Sequence, residues 1–428
     1  MRLPKSAFKR SLRIAGVAFG VWKEEISRFA GAQKENVARL KQVKLLVDEL
    51  GKLKGAAMKF GQILALESRD FFPPEIVAIF EKLQNQATFL EPSIVKKILA
   101  QELGERADTL KDLSPQPIAA ASIGQVHRAR FQETAVAVKI QYPGVGDTVD
   151  SDVKILKNIV GLVSPWMGKS GTDYSGLFAE IQEVFRAEVD YRNEAKLTET
   201  YRELARSIPG VRVPKVFQEV STERVLVLSF ESGETLTECL SDPRLDQKLR
   251  YHFAELFLKV FTAEFCEWGF VQTDPNLGNF LFDLETSELV LLDFGAVRTY
   301  SKDFRTQYSR LVLAAIAMQR EVCLKLAVEL DLIDVRESDE AKDTLFSLLV
   351  QSMQPFREEK FDFKNNTYAA KMRSLSLKLI KELQFSPPPR RLIFLHRKLG
   401  GMFQILCRLE AEIDLRPYLK VYERCAGP

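Results

Sequence analysis

Residues 272–280 read QTDPNLGNF, and residues 293–295 read DFG. These segments place Asp274 and Asp293 nineteen positions apart, with the amide of Asn279 between them. Short apolar runs at 280–282 and 289–292 lie inside this interval and predict two strands. Two acids and an amide beside strands supply the oxygen ligands that phosphoryl transfer needs, because Mg²⁺ must neutralise charge on phosphate oxygens.

The spacing of these residues is typical of a kinase. Asp274 and Asn279 lie five positions apart, as the base and a metal ligand do in a kinase catalytic loop, and Asp293 has the place of the magnesium-binding acid of Asp-Phe-Gly. Either motif alone is weak, since turns are rich in Asp, Asn and Gly, but their order and spacing make the pair specific. The sequence predicts Asp274 as the catalytic carboxylate, Asn279 and Asp293 as metal ligands, and ATP with Mg²⁺ as cofactors.

Upstream, residues 135–139 read AVAVK, a short apolar strand that ends in Lys139. A kinase lysine at this place reaches the α- and β-phosphates and is held by a carboxylate from a helix. Residues 175–206 are predicted to form one helix, which offers Glu188, Asp190 and Glu194 as catalytic partners. Positions 190 and 194 share a face of such a helix, whereas 188 points elsewhere. Whether Glu188 or Glu194 pairs with the lysine stays open at this point.

The segment that should cover the phosphates contains alanines where a kinase has Gly-x-Gly-x-x-Gly. An alanine Cβ favours helical dihedrals and limits close backbone approach, so we expect this loop to be stiffer than a glycine loop. The alternative is a small-residue turn needed only for packing. Two β-rich runs at 125–130 and 134–141 around a short polar turn predict a hairpin, and further strands are predicted at 212–218 and 224–230. The residues assigned to nucleotide binding, in the alanine loop and at the end of the 224–230 strand, are Ala119, Ala120, Ala121, Ser122, Phe230, Glu231 and Ser232.

Composition limits the class of protein. The 428 residues are 46% hydrophobic and 28% charged, which predicts two or three packed units rather than disorder. The five cysteines form no CxxC pair and the three histidines lie far apart, so we expect free thiols and a metal held by oxygens. No apolar run reaches the length of about 18 uncharged residues that a membrane-spanning helix needs.

The net charge of +3 is unevenly spread. Residues 1–60 carry 14 Lys and Arg against 5 Asp and Glu, a net +9, which leaves 47 against 53, a net −6, for the remainder. Between Leu12 and Phe29, apolar residues recur every three or four positions and form one stripe on a predicted helix. This helix either packs on the protein body, lies on a membrane surface or is a targeting segment. An anionic membrane surface would dock at this basic end.

The chain resembles the UbiB-type atypical kinases, also called aarF-domain kinases, and most closely their ubiquinone-associated branch. The resemblance covers about residues 40–425, and the four phosphoryl-transfer positions described above match the family's nucleotide site. It also rests on four segments in the family's order, which read KFGQ at 59–62, AAASIGQVH at 119–127, EVD at 188–190 and LHRKLGG at 395–401.

This resemblance implies a kinase-like fold in which a helical module lies across the place where a protein substrate would dock. Lys59 and Gln62 of that module, one helical turn apart, are expected to face the nucleotide. The family also implies ATP hydrolysis or small-molecule phosphorylation in isoprenoid-quinone biosynthesis at a membrane. The chain has no Ala-Pro-Glu soon after Asp293, which argues against protein phosphorylation in trans. It lacks the C-terminal transmembrane pair of some relatives, so we expect peripheral membrane contact.

We therefore expect an α+β, two-lobed protein-kinase-like fold with an N-terminal helical extension and a mostly helical C-lobe. The expected divisions are a basic segment at 1–35, a helical extension at 36–112, an N-lobe at 113–232 and a C-lobe at 233–428. The expected partners are an anionic membrane, an isoprenoid or quinone-type lipid and a biosynthetic enzyme complex, with no nucleic acid. The expected location is cytoplasmic and peripheral to a membrane, or organellar in a eukaryote. The rival hypothesis is a non-catalytic, nucleotide-switched lipid chaperone or scaffold.

Overall fold

The structure, a computed structural model, describes residues 89–121, 123–147, 185–386 and 390–427, with positions 149, 150, 153, 154, 157, 182 and 183. The chain divides into two units, residues 1–86 with 148–174, and residues 87–147 with 175–428. All elements below belong to the second unit. The basic segment at 1–35 and the helical extension up to residue 88 lie outside the described residues, and the four proposed divisions stay predictions.

The strands and the α-helices of the described residues are numbered separately, each in chain order. The strands are β1 (Ala119–Ala121), β2 (Gly124–Phe131), β3 (Thr134–Gln141), β4 (Val211–Arg212), β5 (Val225–Ser229), β6 (Glu234–Thr235), β7 (Phe270–Gln272), β8 (Phe280–Asp283), β9 (Glu288–Leu291), β10 (Val297–Thr299), β11 (Phe361–Asp362) and β12 (Glu412–Ile413). The helices are α1 (Pro92–Leu103), α2 (Tyr191–Ala205), α3 (Leu236–Cys239), α4 (Gln247–Thr262), α5 (Lys302–Ile316), α6 (Arg320–Glu329), α7 (Asp339–Ser352), α8 (Gln354–Arg357), α9 (Asn366–Glu382), α10 (Arg390–Arg408) and α11 (Arg416–Ala426).

The N-lobe is built on an antiparallel sheet with the strand order β1-β2-β3-β5. The predicted hairpin is confirmed as β2 and β3, joined by Gln132 and Glu133, which both have the positive φ of a tight two-residue turn. Along β3, Val136, Val138 and Ile140 are fully buried in the core of this lobe. Because side chains alternate along a strand, Lys139 points to the opposite face of the sheet.

The prediction of one continuous helix over 175–206 is wrong, because the helix is interrupted at Val189 and Asp190. Residues 185–188 are helical, and α2 starts afresh at Tyr191. The Asp190 carboxylate accepts a hydrogen bond from the Asn193 backbone at 3.0 Å and caps the new helix. The helical phase is therefore not continuous from 188 to 194, which changes where Glu188 lies.

A second sheet, with the order β4-β9-β8-β6, begins the mostly helical C-lobe. The predicted strands at 280–282 and 289–292 are confirmed as β8 and β9. Two rings of α4 hold this hairpin: Phe253 packs 4.9 Å from Phe282, and Phe257 packs 5.1 Å from Phe280. The strand predicted at 212–218 is shorter, because Pro214 cannot donate to a ladder, and only β4 and an isolated bridge at Val216 remain.

The C-terminal helices complete the lobe. Helix α11 packs on α5, and α10 lies against α4. A one-turn π-helix, Ala263–Trp268, follows α4 and ends at Gly269, whose left-handed φ of 64° leads into β7. In the part of the chain that the structure describes, no helix is both long and apolar enough to cross a lipid bilayer.

Candidate functional site

The two predicted metal ligands meet because a hairpin separates them. Asn279 lies directly before β8, and Asp293 lies two residues after β9. These strands pair with Phe280 opposite Leu291, and the Leu292 amide donates to the Asn279 carbonyl at 2.9 Å. Residues fourteen apart in sequence are thus neighbours at the open end of the hairpin, which explains why the spacing of the two motifs carries information.

A second pair of strands joins the catalytic loop to the segment after Asp293. Strand β7 pairs with β10, and the Thr273 amide donates to the Ala296 carbonyl at 2.8 Å. The side-chain amide of Gln272 donates to the backbone carbonyl of Asp274 at 2.8 Å and to that of Asp293 at 3.2 Å. Gln272 therefore holds the two motifs in register, a role that its place in the sequence beside Asp274 does not reveal.

Lys139 is paired with Glu194, which answers the question left open by the sequence. Its ammonium donates to the two Glu194 carboxylate oxygens at 2.7 and 3.0 Å and lies 3.3 Å from Asp293 Oδ2. Burial alone would lower the pKa of Lys139, but the charges of Asp293 and Glu194 outweigh it and hold this pKa well above its usual value. The ammonium thus stays charged and connects the N-lobe helix α2 to the C-lobe motif.

Glu188 and Asp190 are the other two predicted catalytic partners. Asp190 caps α2, so its carboxylate is used by the helix end. Glu188 is buried, and both its Cγ and Glu194 Oε2 lie 3.7 Å from where a Cβ on Gly295 would stand. The expectation that Glu188 points elsewhere is wrong, because the break before α2 turns it towards the Asp-Phe-Gly segment.

The Asp293 segment is anchored by its neighbours. The Phe294 ring is fully buried and packs 4.4 Å from the Tyr201 ring of α2. Asp293 Oδ1 accepts a hydrogen bond from the Gly295 amide at 3.0 Å, which fixes the carboxylate plane. Asp293 is nevertheless the most accessible of the charged groups around Lys139, with 29% of its side chain exposed. It is therefore the acid that can reach a ligand.

Asp274 is held on both carboxylate oxygens. Oδ2 accepts a hydrogen bond from the Asn279 side-chain amide at 3.2 Å, and Oδ1 accepts one from Arg397 at 3.0 Å. Because Asn279 gives its nitrogen to Asp274, its amide oxygen is the atom left for a cation. Arg397 comes from α10, within the segment 395–401 that carries part of the family resemblance, but the sequence does not predict its contact with Asp274.

The donor set suits magnesium. Asn279 and Asp293 offer an amide oxygen and a carboxylate, hard ligands of the kind that Mg²⁺ takes, usually with substrate phosphates and water in the remaining positions. Among the described residues, no group of three or more His, Cys, Asp or Glu is arranged to hold a metal. A magnesium ion held by these two side chains would take its other ligands from phosphate oxygens and water, as in other phosphoryl-transfer sites.

The alanine-rich segment that is predicted to cover the nucleotide begins as a strand and not as a flexible loop. Ala119, Ala120 and Ala121 form β1, paired with Gln125 and its neighbours, and are not helical as their propensity suggests. Gly124 is required at the turn, since a Cβ there would lie 2.2 Å from the Ile140 carbonyl oxygen. Ser122 lies outside the described residues, as do Lys59 and Gln62 of the predicted helical module.

The segment after β5 is fixed through its side chains. Glu231 pairs with Arg212 at 3.0 Å, and the Ser232 hydroxyl donates to Asp283 at 2.8 Å. The Phe230 ring carries the Arg128 guanidinium 4.5 Å above its centre. The Phe230 amide also donates to the Ala135 carbonyl, and the Ser232 carbonyl accepts from Arg212, both at 2.9 Å, so the segment is tied to β3 and β4.

Three features distributed over two lobes define a protein-kinase-like domain. They are a buried lysine–glutamate pair, a loop with Asp and Asn five positions apart, and an Asp-Phe-Gly segment. The model of the ABC1 atypical kinase-like domain matches residues 82–327, and the chain belongs to this family. The family resemblance predicted from the sequence is confirmed, and so is the predicted α+β kinase-like fold.

Individual relatives support the same assignment. The chain is 32% identical to atypical kinase COQ8, mitochondrial, of Schizosaccharomyces pombe, over 96% of this chain and 68% of the relative. It is 32% identical to atypical kinase COQ8B, mitochondrial, of Danio rerio, over 98% of this chain and 69% of the relative. A solved structure of Rv3197 with erythromycin from Mycobacterium tuberculosis is similar with a TM-score of 0.63 and 25% identity, over 95% of this chain and all of that one.

Proposed function

We propose that this chain binds Mg-ATP between its lobes and transfers the γ-phosphoryl group to water or to a small molecule. The observation that carries the proposal is the contact of Lys139 with both Glu194 and Asp293, at 2.7 and 3.3 Å. A lysine held by a helix carboxylate next to the Asp-Phe-Gly acid is the arrangement that phosphoryl transfer in kinases requires. This arrangement is met by side chains from three separate elements.

Each residue has a distinct task in this proposal. ATP supplies the phosphoryl group, and its magnesium ion would be held by Asn279 and Asp293. Lys139 binds phosphate oxygens while Glu194 keeps its ammonium in place, and Asp274 orients the attacking oxygen and accepts its proton. Gln272 holds Asp274 and Asp293 at a fixed separation. Such positioning supplies most of the catalysis in this reaction class, because little covalent chemistry falls to the protein.

The acceptor is a small molecule or water rather than a protein. After Asp293 the chain enters β10 at Val297 and α5 at Lys302, so only a few residues lie between the motif and regular structure. Kinases that phosphorylate proteins carry a longer activation segment there, which ends in Ala-Pro-Glu. The short connection in this chain supports the expectation that protein phosphorylation in trans is not its activity.

The cellular role that we propose is support of isoprenoid-quinone metabolism, including ubiquinone, at a membrane surface. The resemblance to the ubiquinone-associated branch supports it, and relatives named as mitochondrial support an organellar location in a eukaryote. The proposed membrane contact is peripheral and uses the basic, amphipathic residues 1–30, which lie outside the described residues. A quinone-type lipid and a biosynthetic enzyme complex are the proposed partners.

The experiment is γ-phosphate release by the purified full-length chain, with and without Mg²⁺ and with neutral or anionic vesicles. We expect release that needs Mg²⁺, rises with anionic vesicles and is lost in Asp293→Asn. The control is Asp339→Asn, which changes an acid whose side chain is 95% exposed. Nucleotide binding without any phosphate release would favour a non-catalytic switch, and no nucleotide binding would refute the site.

The membrane part is tested separately by vesicle flotation of the full chain and of a chain that starts at Lys34. Basic residues near an anionic surface contribute up to about 1 kcal/mol each, and salt weakens them because the Debye length falls from about 10 Å at 0.1 M to about 3 Å at 1 M. We expect the full chain to float with anionic vesicles at low salt and less at high salt. Equal flotation of both chains would show that another surface attaches to the membrane.

A further inference from the structure

Helix α10 brings a charged residue to the catalytic loop that the proposed roles above do not use. Arg397 donates through its Nη2 to Asp274 Oδ1 at 3.0 Å, although the two residues lie 123 positions apart. Both side chains are only 6% exposed, so this is a buried ion pair. Removing one partner of such a pair is costly, because the other charge stays buried without compensation.

Among the described residues, Asp274 is the acid with which Arg397 forms an ion pair. Arg397 makes no ion pair with another acid in this part of the chain, and its Nε is buried without a hydrogen-bond partner. A guanidinium used only to fasten a helix would be expected to satisfy its donors with several carbonyl groups. Here a buried donor is left unused while the carboxylate contact is kept, so the contact with Asp274 accounts for the position of this side chain.

Two further contacts fix α10 against the loop. Lys398 pairs with the buried Glu264 at 3.1 Å and donates to the Gln272 side-chain oxygen at 3.2 Å. Gly401 faces Pro275, the residue after Asp274, and a Cβ at Gly401 would lie only 2.0 Å from Pro275 Cβ. The helix backbone and the catalytic loop are therefore in direct contact, and Arg397 is presented from a rigid element.

The residue before the catalytic acid does not serve this purpose. In the kinase signature an arginine precedes the catalytic Asp. Thr273 takes that place here, and its hydroxyl donates to the Ala296 carbonyl at 2.7 Å instead of carrying charge. The cation next to Asp274 is thus supplied from far along the chain.

We propose that Arg397 is a positioning residue for phosphoryl transfer, which holds the Asp274 carboxylate in the orientation that receives the attacking hydroxyl or water. This inference rests on the proposed function. Asp274 is fixed between two donors, Asn279 on Oδ2 and Arg397 on Oδ1, so its plane cannot rotate freely. Loss of Arg397 removes the donor to Oδ1, and misplacing a catalytic group by about 1 Å costs about 100-fold in rate.

The test compares Arg397→Lys, Arg397→Gln and Arg397→Met in the full-length chain, with Arg416→Met as the matched control. Arg416 forms an exposed pair with Asp414, so its removal should change nothing. For Arg397→Gln and Arg397→Met we expect kcat for phosphate release to fall about 100-fold while the KM for ATP changes less than about threefold. Arg397→Lys should retain most activity, and added guanidinium ion should partly restore Arg397→Met.

The outcomes separate this inference from the proposed function. Wild-type chain that releases no phosphate overturns the function. If the wild-type chain releases phosphate and Arg397→Gln has the same kcat, only the positioning role is overturned. The same conclusion follows if kcat, ATP affinity and melting temperature fall together in all three variants. Should Arg397→Met not fold, Arg397→Gln and Arg397→Lys still decide, since both keep a polar group at the position.

Discussion

The ammonium of Lys139 lies 2.7 Å from the Glu194 carboxylate, although 55 residues separate them. Strand β3 delivers the lysine, and the first turn of α2 delivers the acid. The helix can place Glu194 there because Asp190 caps it and resets its phase. In kinases this pair must be in place for phosphoryl transfer, and the N-lobe of this chain contains it.

The first prediction concerns this pair. Lys139→Met leaves Glu194 and Asp293 facing each other without a cation in a buried site, so we expect the free energy of unfolding to fall by about 3 kcal/mol. Nucleotide affinity and phosphate release should be lost as well. Urea denaturation measures the first effect, and Lys325→Met, whose side chain is 77% exposed, serves as the control. Equal unfolding midpoints for Lys139→Met and wild type would contradict the buried-pair argument.

The second prediction ranks the two metal ligands. Asp293 carries the charge that attracts a cation, whereas Asn279 offers a neutral oxygen. Asp293→Asn should therefore abolish the stabilisation by Mg-ATP in a thermal-shift titration, and Asn279→Ala should reduce it less. Asn279→Ala also removes a hydrogen bond to Asp274, so its loss in kcat should exceed its loss in binding. A stabilisation of Asp293→Asn equal to that of wild type would show that the metal assignment is wrong.

Local sequence patterns are sufficient to predict the elements that place much of this site. The hairpin of β2 and β3 and the strands β8 and β9 follow from apolar runs bounded by turns, and they place Lys139, Asn279 and Asp293. The distance between the two motifs is informative because one hairpin spans it. Such positions depend on contacts within a few tens of residues, which a sequence pattern records.

Other features depend on tertiary contacts that no local pattern records. One capping residue, Asp190, breaks a predicted helix, and this local choice turns Glu188 towards the site and gives Glu194 to Lys139. The pairing of Arg397 with Asp274 arises only when α10 packs on the catalytic loop. The sequence marked the segment 395–401 as characteristic, but spacing alone could not connect it to a residue 123 positions earlier.

The third prediction uses two adjacent glycines of α10. A Cβ at Gly401 would stand 2.0 Å from Pro275 Cβ, whereas a Cβ at Gly400 would meet nothing within 4 Å. Gly401→Ala should therefore destabilise the fold by about 1–3 kcal/mol through overpacking. Gly400→Ala should be neutral or stabilising by up to about 1 kcal/mol, because alanine is the better helix former. Thermal melting of both variants measures the difference, and equal melting temperatures would mean that α10 does not touch the loop as described.

The fourth prediction rests on a buried network around His127. The Nδ1 atom of His127 contacts the Ser114 carbonyl at 2.8 Å, and a carbonyl only accepts, so Nδ1 carries the hydrogen. Nε2 of the neutral ring then accepts from the Gln125 side-chain amide at 2.7 Å, while the Gln125 oxygen accepts from the Leu90 backbone at 2.7 Å. A second proton on the ring would face the Gln125 nitrogen and disrupt the chain of bonds.

Burial lowers the pKa of His127, and the bond to the Ser114 carbonyl opposes this only in part. The unfolded chain therefore takes up a proton near pH 6.5 that the folded chain refuses, so the free energy of unfolding should fall as the pH falls below about 6.5. It should level off once the pH drops below the folded pKa. His396 adds a loss of the same sign, because burial lowers its pKa to about 4. In His127→Gln the acid-side loss should therefore be smaller than in wild type, whatever the change in stability at pH 8, whereas His252→Gln retains both His127 and His396 and should lose as much as wild type. Urea denaturation of the three proteins between pH 8 and pH 5 measures the slopes, and parallel curves for wild type and His127→Gln would show that this histidine is not held neutral in the fold.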